Sequence, residues 1–244
     1  MAEGTEHDDD IRSLASSLQS ERLIEIYVGA ITPNSKPYLV PQTILEAASE
    51  YFVNALRSDS FREGRDSRLH FPYDNVRAWE VLLFWMYKDT VPSTACTGGT
   101  LVSCWVLGDK YAIPNFQDSA MLLLLDFCRL SLLDPQALSE GIASSVPGSK
   151  MRRLIAEELV VIHFKEGDMD HVEVEAVIDG TGLLGEFLAA HERLNKDKGV
   201  FSDRLTKLSP SAAKKPASDR RAIWRDYLVG ELPAKHWIYE REGS

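Results

Sequence analysis

Apolar residues recur at two different periods along this chain of 244 residues, and each change of period marks an element. Ile11, Leu14, Ala15 and Leu18 repeat at helical spacing with Arg12, Ser16 and Gln19 opposite, which predicts a short amphipathic helix. Ile24, Ile26 and Val28 share one face at period two, predicting a strand that Gly29 stops and Pro33-Asn34 turns. Tyr38-Leu-Val40 then predicts a second strand pairing back on the first. After Pro41, Thr43 and Glu46 have the spacing of a capping box, and Leu45, Ala48, Phe52 and Leu56 predict a single helix behind it. Leu69 and Phe71 flank His70 as a third strand. Asp74-Asn75 would cap the next helix, with Val76, Trp79, Leu82, Leu83, Met86 and Tyr87 as its apolar side. Past a loop rich in Pro, Ser, Thr and Gly at 92–100, Leu101, Trp105 and Ala112 mark another helix. Pro114 restarts it, and residues 116–127 form the most apolar helix of all.

Beyond Cys128 longer polar breaks, at 144–150 and 196–199, separate the segments. Met151, Leu154, Ile155, Leu159 and Ile162 predict one helix face; Leu184, Phe187, Leu188, His191 and Leu194 predict another. Residues 172–178 alternate Val and Glu and read as strand or helix. The expected organisation is an acidic tail and amphipathic helix at 1–20, a domain at 21–128 and a helical extension at 129–201. A basic linker at 202–222 and a last helix with an aromatic tail, Trp237 and Tyr239, at 223–244 complete it.

Charge and chemistry narrow the classes. The net charge of -10 argues against a whole-chain binder of nucleic acid or anionic membrane, because phosphate binding is driven by basic charge. The exception is local: residues 202–225 are basic, and Lys214, Lys215, Arg220 and Arg221 are candidates for nuclear import or weak nucleic-acid contact. A solvated linker is the plainer reading. Cys96, Cys104 and Cys128 have no CxxC spacing and read as reduced thiols. The acidic start carries no secretory pattern, and the longest apolar run, residues 120–125, falls far short of a membrane span; a cytoplasmic or nuclear location is expected.

The order of strand, strand, capped helix, strand and several helices is joined by particular residues. They are Ile26-Tyr-Val-Gly29, Tyr38-Leu-Val40, Ile44-Leu45 with Ala48-Ser-Glu-Tyr-Phe52, Phe61-Arg-Glu63, residues 84–87, and Val106-Leu-Gly-Asp-Lys-Tyr111. On these, residues 21–128 resemble a BTB/POZ domain. The last run is similar to the family's Leu-Ala-Asp-Lys-Tyr with Gly108 in place of Ala, and the part after Cys128 resembles the helical extensions of fungal members.

The resemblance implies an α+β fold, a small three-stranded sheet capped by helices, followed by a mostly helical C-terminal extension. It also implies a protein-interaction module with no cofactor, no metal and no catalytic residue, and a homodimer whose face would be Ile11, Leu14 and Leu18. Candidate partner-facing residues are Phe61, Tyr87, Leu101 and Tyr111. Two employments follow from the family: presenting substrates to a cullin scaffold for ubiquitin transfer, or, as the alternative, nuclear transcriptional regulation with the basic segment. Departures stand at Leu23 and Pro41-Gln42, where repressor members carry charged residues. At Thr100-Leu101-Val102 the acid of the cullin-binding motif is missing.

One rival comes from another class. Gly180-Thr-Gly-Leu-Leu-Gly185 matches the dinucleotide-binding GxGxxG, with Asp203 about 20 residues on. The Val-Glu alternation before it is too acidic for a strand buried on both faces, so a turn opening a helix is the expected reading. His191 lacks the second histidine of an HExxH site, and His163 and His171 lack helical ligand spacing.

Overall fold

The computed structural model describes residues 21–57, 65–196 and 224–230, with the side chains of 129–130, 165–166 and 194–196 outside the description. It is mixed α and β, mostly helical, with a small three-stranded sheet. The chain divides into two compact units between Val76 and Arg77.

In the first unit β1 (Leu23–Val28) is central, antiparallel to β2 (Tyr38–Pro41) and parallel to β3 (Arg68–Phe71). Alternation makes the sheet one-sided: Ile24, Ile26, Val40, Leu69 and Phe71 are buried while Leu23 and Leu39 face out. On the outer face Arg68 bonds Glu25 at 2.9 Å and lies over the Tyr27 ring. Gly29, at φ 76°, ends β1 and donates its N–H to the Phe71 carbonyl at 2.9 Å.

The helix expected from Thr43 through Leu56 is two helices, α1 (Gln42–Ala48) and α2 (Glu50–Ala55). Ser49 is extended, at φ -163° and ψ 141°, and its hydroxyl accepts from Tyr51 N–H, so it opens the second helix by breaking the first. The Thr43–Glu46 capping box does not form: α1 starts behind Pro41 without a side-chain cap. The Thr43 hydroxyl donates to Glu21 instead, and Glu46 accepts from Gln42.

The second unit continues α3 (Val76–Lys88) with α4 (Gly98–Lys110), α5 (Pro114–Leu130), α6 (Pro135–Ala143), α7 (Lys150–Val161), α8 (His171–Ile178) and α9 (Leu184–Lys196). The inner face of α3 is Ala78, Trp79, Val81, Leu82 and Trp85, which shares Trp79 and Leu82 with the expected one but is rotated from it; Val76, Phe84 and Tyr87 are exposed. Two tryptophans set this rotation, Trp79 against Tyr111 at 5.6 Å and Trp85 against Phe116 at 5.5 Å between ring centres. Ala112 lies beyond the end of α4, in the left-handed region at φ 52°, and Pro114 opens α5.

Gly108 lies so close to α5 that a Cβ there would sit 2.8 Å from Gln117 Cβ and 3.0 Å from its backbone nitrogen. Past residue 128 the chain packs directly on α4: the Ser103 hydroxyl donates to Glu140 of α6 at 2.6 Å, and Gly141 leaves room for Ile155 and Val102. No helix among the described residues is long and apolar enough to cross a membrane.

Candidate functional site

Three features of the second unit present or organise surface. The first lies where α7 runs out. A π-helical turn, residues Ile162–Glu166, follows it, and Gly167 closes the turn at φ 72°, donating its N–H to the Ile162 carbonyl at 2.9 Å. The wider turn shifts the residues beyond Ile162 around the axis, so Ile162 stays buried while Phe164 emerges half exposed. Phe164 stacks on Phe187 at 6.4 Å, lies over His191 at 4.6 Å and meets the His163 ring edge at 4.4 Å. His163 is steadied through Nδ1 by the Met169 carbonyl at 2.9 Å. Beside this cluster Leu184 and Leu188 are each 56% exposed.

The apolar stripe expected on α9 divides, with Leu184 and Leu188 exposed and Phe187 and His191 half-buried. Leu183 and Ala190 are buried in its place, and Glu186 reaches inward to an arginine. Sequence periodicity located the stripe but could not tell which side of it the rest of the chain would cover.

That arginine is Arg152, 3% exposed. Its guanidinium donates to Glu186 at 2.9 Å, to the Thr181 carbonyl at 2.9 Å and to the Ile142 carbonyl at 3.4 Å, while the other Glu186 oxygen accepts from Gly148 N–H at 2.7 Å. A buried arginine is tolerated because each of these bonds is charge-assisted and its carboxylate partner lies beside it. The consequence for the glycine motif is direct. Gly180 and Gly182 are left-handed, at φ 68° and 71°, in a turn that Arg152 ties down. The segment before them is helix α8, opened by a capping box in which Asp170 accepts from Val172 and Glu173 and Glu173 accepts from Asp170. The strand that a dinucleotide fold needs there is absent. The second strand it would require, residues 199–201, lies outside the described residues.

The second feature is the outer side of α3, where Phe84 and Tyr87 stand exposed one turn apart. Of the four candidate partner-facing residues only Tyr87, 53% exposed, has a described side chain at the surface. Leu101 and Tyr111, 3% and 1% exposed, belong to the core, Tyr111 through its contact with Trp79. Phe61, the dimer-face residues Ile11, Leu14 and Leu18, and the basic residues Lys214, Lys215, Arg220 and Arg221 lie outside the described residues.

The third feature, absent from the sequence reading, is how residues 224–230 are held. Trp224, Tyr227 and Leu228 are buried. The Tyr227 hydroxyl donates to the buried Glu157 carboxylate, which also accepts from Arg153 and Arg193, each at 3.2 Å. Arg153 lies over the Tyr227 ring, 4.7 Å from its centre. On α5 the buried Asp118 accepts two successive backbone N–H groups, Val229 at 2.7 Å and Gly230 at 2.8 Å. Burial pushes the Asp118 carboxyl above the ordinary carboxylate range, and the two N–H bonds oppose that shift without cancelling it.

Among the described residues no three metal-ligating side chains converge. Burial raises the thiols of Cys104 and, less strongly, Cys96, which disfavours the thiolate a nucleophile needs. No protein-family model matches the chain, and no curated protein matches it in sequence.

Proposed function

We propose that the chain is a protein-interaction module of the BTB/POZ kind, a self-associating scaffold that docks a cullin and carries its client on the helical extension. The observation that supports this reading is the order of elements over residues 21–128: β1, β2, two short helices, β3 parallel to β1, then α3, α4 and α5. The quoted BTB-like residues lie on those elements or at their ends, apart from Phe61-Arg-Glu63, which lies outside the described residues. Two exposed apolar faces suit a binding protein: Phe84 with Tyr87 on α3, and the Phe164 cluster with Leu184 and Leu188 on the extension. The assignment of roles is that α3 meets the cullin and the extension meets the client.

Calorimetric titration of the full chain with a cullin amino-terminal domain tests the first role. Saturable heat near one cullin per chain, with micromolar affinity, is expected. The pair Phe84→Glu and Tyr87→Glu should weaken it by about 1–3 kcal/mol, roughly ten- to hundredfold. No heat from the folded protein would retire the cullin role.

A further inference from the structure

Residues 224–230 are bound the way a peptide is bound. Seven residues, with 27 others between them and the end of α9, place aromatic and aliphatic anchors against the helical unit. They donate to two buried carboxylates: the Tyr227 hydroxyl to the Glu157 oxygen that Arg153 and Arg193 leave open, and two adjacent main-chain N–H groups to Asp118. Lys150 adds a bond to the Asp226 carbonyl at 2.6 Å. Backbone donors supply affinity and buried side chains supply selectivity, which together define a short recognition sequence, Trp-x-x-Tyr-Leu-Val-Gly.

We infer that the surface formed by α5 and α7 is a receptor for this sequence, and that the segment of a second copy of the chain can occupy it. The contacts are the same whether the segment comes from its own chain or another, so only relative concentration decides between them. Twenty-seven residues span at most about 95 Å, enough to pass between neighbouring copies. In the wild type the attached segment acts at millimolar effective concentration and holds the surface against micromolar competitors. Exchange becomes visible when the attached segment is weakened.

The probe is a labelled synthetic peptide of residues 222–232, followed by fluorescence anisotropy against full-length protein. The full-length Tyr227→Ala variant should bind it at least about a hundredfold more tightly than wild type does, and a peptide carrying the same Tyr→Ala change should bind neither. Equal binding to variant and wild type, or none to a folded variant, would overturn the receptor. Should Tyr227→Ala fail to fold, Val229→Pro removes one N–H to Asp118 while leaving the buried side chains, and is read the same way. For the second copy, full-length Tyr227→Ala, with an intact surface, is mixed with full-length Asp118→Ala, with an intact segment, each labelled for energy transfer. Transfer several-fold above that of a labelled wild-type pair is expected; transfer equal to it would overturn exchange between copies.

Discussion

Gly108 decides how closely α4 and α5 approach, and the room it leaves is that of one missing methyl group. An alanine there would set its Cβ 3.0 Å from the Gln117 backbone nitrogen and Cα, atoms that move only with the helix. Gly108→Ala is therefore expected to destabilise the second unit by about 1–3 kcal/mol, seen as a lower urea midpoint with unchanged slope. In the sequence Gly108 was visible only as a departure from Leu-Ala-Asp-Lys-Tyr; its reason lies nine residues on, in a helix whose approach no local pattern reveals. Asp118 was hidden for a similar reason. It sits in an apolar helix, and the groups it binds are 111 and 112 residues away. Because Asp118 has its proton affinity raised in the folded state, its contribution to stability falls as pH rises from the ordinary carboxylate pKa through the folded one.

At the scale of elements, periodicity located the strands and most of the described helices, missed α6, and failed where a side chain competes with the backbone or where a face has two possible sides. Ser49 interrupts an apolar repeat that runs unbroken from Leu45 to Leu56, and the hydroxyl that breaks it looks like any exposed polar residue in the sequence. On α3 the rotation was set by two tryptophans meeting Tyr111, just past the end of α4, and Phe116 on α5. Helix α8 resolved an open choice between strand and helix through a local signal, the Asp170–Glu173 capping box, that the Val-Glu alternation obscured. The N–H of Glu173 holds the exposed Asp170 carboxyl below the ordinary carboxylate range, with desolvation opposing it and the Val172 N–H adding to it. A depressed folded pKa means that the cap stabilises above the ordinary pKa and is lost as pH falls through the folded one. Asp170→Ala should accordingly speed amide hydrogen exchange at Val172 and Glu173 several-fold at neutral pH. It should make little difference in acid, below the folded pKa, where the wild-type cap is already protonated.

For the whole molecule, composition and charge led to the expectation of a protein partner rather than nucleic acid, and the order of elements carried the resemblance. The helices after residue 128 pack on α4 through contacts such as Ser103 with Glu140, which no break in composition foretells. Self-association is tested at this scale. The pair Ile11→Glu and Leu14→Glu should halve the solution mass measured by light scattering if that face holds two copies together; a mass unchanged from wild type would remove those residues from the interface. The bond between Glu157 and Tyr227 closes across 70 residues, and that separation has a meaning during biosynthesis. At roughly 5–20 residues per second the ribosome needs about 4–14 s to travel from one to the other. Throughout that interval Glu157 lacks the hydroxyl of Tyr227, with Arg153 and then Arg193 as its only partners among these contacts. The helical unit is thus finished late, and a message cut short before codon 224 would release a chain with every helix from α1 to α9 translated and its closing contacts missing, a natural substrate for quality control.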